Sequence, residues 1–268
     1  MSADHTGNML KSVLAGAISR GAPAYNAGRI QECVRIYTET GRVVLQNNLV
    51  PSRQLRTRLS TVLDQAGPID VDAQAWALRR VFDDILAYEA PLSPSMMPTG
   101  TIRLESFLDQ LPAPAEIHDN VMGGVSRGAF RANTFSGTIS LENNGGFASV
   151  RWRFGQPQDW SAARGMYLKM THDERAEQTF KVVAKSLAVA RAVYGANYKI
   201  TVANPEGSAE PILIPFEAFD ELEQMGRRVD GAPKLAADQV VEIGLMAIKP
   251  TVVGEFRLNI LDWGLWYG

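Results

Sequence analysis

The sequence predicts an α+β multidomain protein, with an N-terminal helical bundle at residues 1–89, a proline-rich linker at 90–100 and an all-β sandwich at 101–268. Apolar residues recur at intervals of three and four through most of residues 8–89, which is typical of amphipathic helices. Three prolines and a glycine within 90–100 indicate a domain boundary. After Gly100 the pattern changes to short alternating segments separated by turn residues, which indicates antiparallel sheet.

The N-terminal region carries four apolar stripes at helical spacing, so we expect four helices. The stripes are separated at Gly21-Ala22-Pro23, at Asn47 to Pro51 and at Gly67-Pro68. Ser52 and Asp70 stand where N-cap residues are expected. Connections this short favour antiparallel neighbours in a small bundle. A tetratricopeptide-like unit is the alternative, although no second copy of a pattern of about 34 residues is visible.

Eight segments after Gly100 have the length and composition of β-strands, and this number predicts a sandwich. Residues 185–193 fit either a strand or a short helix. The predicted strands are residues 134–142, 147–154, 165–170, 179–184, 197–202, 212–215, 240–247 and 255–263.

Residues 140–151, reading SLENNGGFASVR, predict a β-hairpin that turns at Asn143-Asn144-Gly145-Gly146. Asn and Gly suit this turn because both accept positive φ. One face of the predicted hairpin is apolar and faces the core, while the other carries hydroxyls and charges beside a rigid turn. The expected apolar pairs are Leu141 with Ala148, Ile139 with Val150, Gly137 with Trp152 and Phe135 with Phe154, and the expected polar-face pairs are Glu142 with Phe147, Ser140 with Ser149 and Thr138 with Arg151.

A second glycine pair lies in the segment Asn120-Val121-Met122-Gly123-Gly124-Val125-Ser126. Together, the two segments resemble the signature of the complex I intermediate-associated protein 30 family, which is close to an aspartate-rich VMGGVS followed by SLENNGGFASVR. The resemblance covers roughly residues 101–267. It implies a galactose-binding-like jelly roll and, in mitochondrial members, work as an assembly factor for respiratory complex I.

This chain departs from the family pattern at two places. His118-Asp119-Asn120 stands where the family usually has paired aspartates, which puts the role of the second carboxylate in doubt. Between Met170 and Tyr198, where the family usually has a short turn, the chain inserts a charged run and an apolar segment. We therefore expect the surface of these strands to differ from that of the family.

The composition excludes several classes of protein. The net charge of −2 and the pI near 6.0 provide no basic field for nucleic acid or anionic lipid. Cys33 is the only cysteine, which excludes an intramolecular disulfide and a CxxC metal site. No secretory or membrane-spanning run is visible, so we expect no membrane insertion. A soluble intracellular protein is expected, either cytoplasmic or inside an organelle after removal of a transit peptide.

The candidate catalytic motifs lack their required context. Gly124-Val125-Ser126-Arg127-Gly128 fits G-x-S-x-G, but no strand-to-helix turn surrounds the serine. His118 and His172 belong to no metal-binding spacing, and a structural role is favoured for the pair His118-Asp119. No nucleotide-binding motif is present either, so we expect no cofactor and no metal.

We interpret the chain as a non-enzymatic protein-binding module that acts as an assembly factor or chaperone for a larger complex, such as a membrane-associated one. Its expected partners are protein subunits of that complex. One alternative is a carbohydrate-binding module, and another is an enzyme whose site is not visible in the sequence. Sugar platforms could be formed by Trp152, Trp160, Tyr167, Trp263 and Trp266, although packing is favoured for the tryptophans.

The residues predicted to bind a partner surround the two glycine-rich segments. The competing interpretation is structural, with Glu142 and Arg151 bonding each other or the backbone of the turn. The predicted binding residues are Asn120, Ser126, Glu142, Asn143, Asn144 and Arg151.

Overall fold

A computed structural model describes residues 3–64, 70–88, 91–94, 101–172, 178–193, 195–204 and 207–268, together with their side chains from residue 7 onward. The chain divides into two units, Met1–Ala90 and Pro91–Gly268. The first unit is helical and the second is a β-sandwich, so the predicted fold class is confirmed. Most of the predicted linker, including Met96 and Met97, lies outside the described residues.

The four predicted helices pack around one apolar core. The first helix contacts the second and fourth, and the third contacts the second and fourth, which is the arrangement of a bundle. Leu14, Leu59, Leu78 and Phe82 are fully buried at its centre. Ser52 and Asp70 cap the third and fourth helices, accepting the backbone N–H of Leu55 and Asp72 respectively. The helices are α1 Ala3–Asn26, α2 Ile30–Gln46, α3 Arg53–Asp64 and α4 Val71–Leu86.

The predicted break at Gly21-Ala22-Pro23 is wrong, because α1 continues through Pro23. Packing against α2 favours the continuous helix. Gly21 lies so close to the ring of Tyr37 that a Cβ there would be 2.3 Å from a ring carbon. The helix ends instead at Asn26, and Gly28 in the turn that follows has a φ of 77°, which suits a glycine. The predicted break at Gly67-Pro68 lies outside the described residues.

The second unit contains two antiparallel sheets and a short helix, α5, at Leu187–Ala192. The predicted strands are confirmed, and the ambiguous segment 185–193 is the end of one strand followed by α5. The pattern missed five short strands, at Arg103–Ser106, Ala115–His118, Arg127–Arg131, Leu222–Gln224 and Arg227–Arg228. The strands are β1 Arg103–Ser106, β2 Ala115–His118, β3 Arg127–Arg131, β4 Thr134–Ile139, β5 Phe147–Gln158, β6 Gly165–His172, β7 Thr179–Ser186, β8 Asn197–Ala203, β9 Ile212–Pro215, β10 Leu222–Gln224, β11 Arg227–Arg228, β12 Val240–Ile248 and β13 Gly254–Tyr267.

Sheet A has the strand order β11-β10-β8-β7-β12-β5-β2, and sheet B has the order β3-β4-β13-β6-β9 with β1 also paired to β13. This is the jelly-roll sandwich that the family resemblance implied. Apolar side chains from both sheets meet between them. Trp152 of sheet A and Trp263 of sheet B, for example, pack edge to face with ring centroids 5.4 Å apart.

The predicted hairpin is wrong, because its two strands belong to different sheets. In sheet B, β4 pairs with β3 and β13, whereas in sheet A, β5 pairs with β2 and β12. Residues 140–146 cross from one sheet to the other, and both Asn143 and Asn144 adopt positive φ there. Alternation of apolar residues shows which side chains enter the core. It does not show whether two strands lie side by side or face to face.

The crossing and a hairpin predict different losses of stability for two alanine variants. Ile139 is 1% exposed and Leu141 is 54% exposed, whereas the hairpin would bury both. We expect Ile139→Ala to lower the free energy of unfolding by about 2–5 kcal/mol. Leu141→Ala should change it by less than about 0.5 kcal/mol. Urea denaturation followed by tryptophan fluorescence measures both changes, and equal losses would contradict the crossing.

Candidate functional site

The two glycine-rich segments, residues 119–126 and 140–146, lie against each other, and we call them the signature loops. The carboxylate of Asp119 is fully buried between them. Its Oδ1 accepts the backbone N–H of Ser126 at 2.9 Å. Its Oδ2 accepts the backbone N–H of Gly146 at 2.6 Å and that of Phe147 at 3.3 Å. One carboxylate therefore holds both loops through the backbone alone.

The electrostatics of Asp119 agree with this geometry. Burial by itself would raise the pKa of the carboxyl group, because it disfavours the charged form. Hydrogen bonds from Ser126, Gly146 and Phe147 outweigh burial and hold the pKa below its usual value. The carboxylate is therefore charged at neutral pH, where its acceptor oxygens hold the loops most strongly.

Glycines make room for this carboxylate. A Cβ on Gly124 would lie 2.4 Å from Oδ1 of Asp119, and a Cβ on Gly145 would lie 2.6 Å from Oδ2. Side chains at these positions would collide with the carboxylate. The loops are also joined where the Asn143 side-chain amide donates to the carbonyl of Gly123 at 3.2 Å. Two of the four signature glycines, Gly124 and Gly145, are thus explained by close packing around Asp119.

Apolar side chains point outward from the signature loops. Val121 is 75% exposed, Met122 is 59% exposed and Leu141 is 54% exposed. Val125 is exposed as well. Exposed amides and one carboxylate accompany them on the same loops. We call this the signature surface, and it consists of Asn120, Val121, Met122, Val125, Leu141, Glu142, Asn143 and Asn144.

The structure separates the six predicted binding residues into two groups. Asn120, Glu142, Asn143 and Asn144 are exposed and belong to the signature surface. Ser126 and Arg151 are buried, so the expectation that they lie on an exposed polar face is wrong. Arg151 follows the crossing into sheet A, where it points away from the core side of β5.

Arg151 lies in an ionic cluster of sheet A. Its Nε donates to Oγ of Ser149 at 2.7 Å, and its Nη1 donates to Oδ1 of Asn197 at 3.1 Å. The same Nη1 is 3.6 Å from a carboxylate oxygen of Glu242. Burial lowers the pKa of Arg151 to about 10, so the guanidinium is still charged at neutral pH. The suggested pair of Arg151 with Glu142 is therefore replaced by a pair with Glu242.

Ser126 and His118 line one cleft of about 580 Å³, together with Glu116, Arg127 and Thr138. They do not form a nucleophile and base. The Ser126 hydroxyl donates to the carbonyl of Ser140 at 3.2 Å and accepts its N–H at 3.0 Å. Nε2 of His118 lies 2.6 Å from the carbonyl oxygen of Gly128. Both side chains are engaged with the backbone, which is a structural role.

The aromatic candidates for a sugar platform are packed. Trp152, Trp160, Tyr167 and Trp263 are buried, and Trp266 is half-buried. Within the described ranges, no group of three His, Cys, Asp or Glu side chains could hold a metal ion. Among the described helices, none is long and apolar enough to cross a membrane.

Sequence reasoning favoured a structural role for Asp119 beside His118 but did not place its carboxylate between the two loops, and it missed the exposed apolar residues of the signature surface. A signal for Asp119 was present, since the signature places a carboxylate and two glycine pairs in segments that fold together. The apolar residues Val121 and Met122 carried no comparable signal, because a short apolar run is equally typical of a buried segment.

The buried carboxylate predicts a pH-dependent effect of Asp119→Asn. The new amide places a donor opposite the N–H groups of Gly146 and Phe147, so we expect a loss of about 1–3 kcal/mol in the free energy of unfolding at pH 7. Because the folded pKa is lowered, the carboxylate's contribution is complete above about pH 5 and is lost as pH falls through that pKa. Urea denaturation of both proteins from pH 7 to pH 3 measures the difference, and a gap that stays constant would refute the assignment.

Solved structures similar to the chain include the family 11 carbohydrate-binding module from Clostridium thermocellum in complex with a β-1,3-1,4-mixed-linked tetrasaccharide. It has a TM-score of 0.41 and 15% identity, and the match covers 61% of this chain and 94% of that chain. An agarase matches with a TM-score of 0.34 and 12% identity, covering 57% of this chain and 23% of that one. Likeness of this degree says nothing about what the chain binds.

No curated protein matches the chain. The complex I intermediate-associated protein 30 family matches residues 108–260, which is more than half of the sequence. The match includes both signature loops and the strands that carry the ionic cluster. The chain is therefore a member of the complex I intermediate-associated protein 30 family.

Proposed function

We propose that the chain is a non-enzymatic protein-binding module that acts as an assembly factor or chaperone for a larger complex, and that it docks through the signature surface. The observation that carries the proposal is the set of exposed apolar side chains on loops held by Asp119. Such side chains are costly to leave in water, and clusters of them mark interaction sites.

The rigidity of the loops supports docking. Their backbone is fixed by Asp119, by the Ser126–Ser140 hydrogen bonds and by Lys249, whose ammonium donates to the carbonyl of Gly145 at 2.8 Å. A surface that is already ordered loses little conformational entropy on binding. The loops therefore present Met122 and its neighbours in a preorganised arrangement.

The chemistry of the signature surface favours a protein partner. Protein interfaces combine an apolar centre, depleted in charge, with a polar rim. Val121, Met122 and Leu141 supply apolar area, and the amides of Asn120 and Asn143 supply neutral hydrogen-bonding groups. Methionine adapts its shape to irregular apolar partners. The partner expected here is a protein subunit with a complementary apolar patch.

Family membership supports the kind of partner. The family's name describes a protein associated with intermediates of complex I. A partly assembled complex exposes subunit surfaces that are later buried, and these surfaces are apolar in obligate assemblies. A neutral, apolar docking surface suits such an intermediate.

The proposal predicts that Met122→Asp weakens partner binding without unfolding the protein. A charge in the centre of an apolar contact is left unpaired and desolvated, so affinity should fall at least about tenfold. The measurement is quantitative co-purification with the full-length tagged chain from its native source, followed by binding titration with each purified partner.

Met225→Asp is the matched control. Met225 is 78% exposed and lies in the turn between β10 and β11, at the edge of sheet A opposite to β2. Partners that bind wild type and Met225→Asp equally, but not Met122→Asp, support the signature surface. Equal binding by all three proteins would place the docking site elsewhere.

Glycan binding is the second candidate function, and the polar cleft is the observation that favours it. Hydroxyl, amide and carboxylate groups line the cleft at Ser126, Asn120 and Glu116. A glycan bound only by the folded protein would raise the melting temperature, with a stabilisation that grows as the logarithm of its concentration above the Kd. We expect neutral and acidic oligosaccharides to leave the melting temperature within about 1 °C of its initial value, and a concentration-dependent rise of about 2–4 °C would favour glycan binding over the main proposal.

A further inference from the structure

On the outward face of sheet A, cationic side chains outnumber carboxylates in a row of residues that crosses three neighbouring strands. Glu242 of β12 stands directly opposite Arg153 of β5 on one side and Lys185 of β7 on the other. The next position along β12 on the same face is Gly244, which stands opposite Arg151. Three cations thus surround one carboxylate, and we call these four side chains the Glu242 cluster.

Gly244 explains why Arg151 lies flat in this cluster. A Cβ on Gly244 would be 2.4 Å from Cδ of Arg151, so the arginine stem occupies the space that a side chain would need. The guanidinium then reaches Ser149, Asn197 and Glu242. Arg151 is only 4% exposed and forms the base of the cluster.

The cluster does not balance its own charge. Glu242 is 5% exposed and can neutralise one cation, so the two buried cations, Arg151 and Lys185, exceed it by one positive charge, and the solvent-exposed Arg153 adds a second beside them. Burial of unbalanced charge is unfavourable unless a counter-charge is supplied. The neighbouring pair Lys199–Glu223, with its charged atoms 2.5 Å apart, is neutral and supplies none.

Two of the cationic side chains, Arg153 and Lys185, have N–H donors that no hydrogen bond to Glu242 uses. Arg153 bonds Glu242 through Nε at 2.8 Å, and its side chain is 63% exposed, so its terminal nitrogens face solvent. Nζ of Lys185 lies 3.7 Å from Glu242, which is longer than a hydrogen bond, although the side chain is only 15% exposed. Burial is the main cause that lowers the pKa of Lys185; Glu242 opposes it, Arg151 and Arg153 add to it, and the pKa stays below its usual value, so an added anion would stabilise the charged form.

We propose that the Glu242 cluster is a binding site for an oxyanion, a phosphate or carboxylate group, held by Arg153 and Lys185 above the buried Arg151. The planar guanidinium of Arg153 presents a fork of donors, which suits a tetrahedral or planar oxyanion, and Lys185 adds a point charge. This site is separate from the signature surface and does not depend on the function proposed for it.

The test uses the full-length protein and two probes, inorganic phosphate and citrate, at constant ionic strength set with chloride. Because four of the five tryptophans lie in the β-sandwich, thermal unfolding followed by tryptophan fluorescence reports mainly on that unit. We expect at least one probe to raise the melting temperature by about 2–4 °C, with a stabilisation that grows as the logarithm of probe concentration above the Kd. A shift with phosphate alone assigns a phosphate site, and a shift with citrate alone assigns a carboxylate site.

Arg153→Gln and Lys185→Gln should each remove most of the shift, measured against the same variant without the probe. Arg153→Gln is the safer variant, because its side chain is mostly exposed and its loss should not unfold the sheet. Arg228→Gln is the control. Arg228 lies in the edge strand β11, its side chain is as exposed as that of Arg153, and it forms an ion pair with Glu221. Absence of a shift in the wild type, or an equal shift in all four proteins, would overturn the proposal.

Discussion

The proposed docking surface depends on the hydrogen bonds that the buried carboxylate of Asp119 accepts. A buried carboxylate is unfavourable unless hydrogen bonds replace the water that it has lost, and backbone N–H groups of both signature loops do so. The bonds come from Ser126 on one side and from Gly146 and Phe147 on the other. Since the interior of the loops is filled by this polar contact, Val121 and Met122 have no place inside and remain in solvent.

Among the described residues of the sandwich, two carboxylates are buried, and they are stabilised in opposite ways, with different consequences for the surfaces beside them. Asp119 is satisfied by neutral backbone dipoles, so the signature surface above it stays almost free of charge. Glu242 is satisfied by three cations, so the face around it is positive. An apolar partner surface suits the first environment, and an oxyanion suits the second.

Most of the secondary structure could be predicted because it follows from local patterns. The helical stripes through Leu14 and Phe82, the caps at Ser52 and Asp70 and the main strands all depend on spacing and backbone chemistry. The false helix break and the false hairpin depended on contacts between elements. Gly21 of α1 packs against the ring of Tyr37 in α2, and the partners of β4 and β5, namely β13 and β12, lie about a hundred residues further along the chain.

The candidate site was harder to predict because a conspicuous motif does not say which of its polar side chains point inward. The structure gives a physical reason for two of the buried polar residues. Asp119 and Arg151 each lie against a glycine at which a Cβ would be only 2.4 Å from the polar side chain, Gly124 and Gly244 respectively. The missing Cβ of each glycine leaves room for the neighbouring polar side chain. No glycine makes room in this way for Asn120 or Met122, and this difference is the reason to assign partner binding to the exposed residues of the motif.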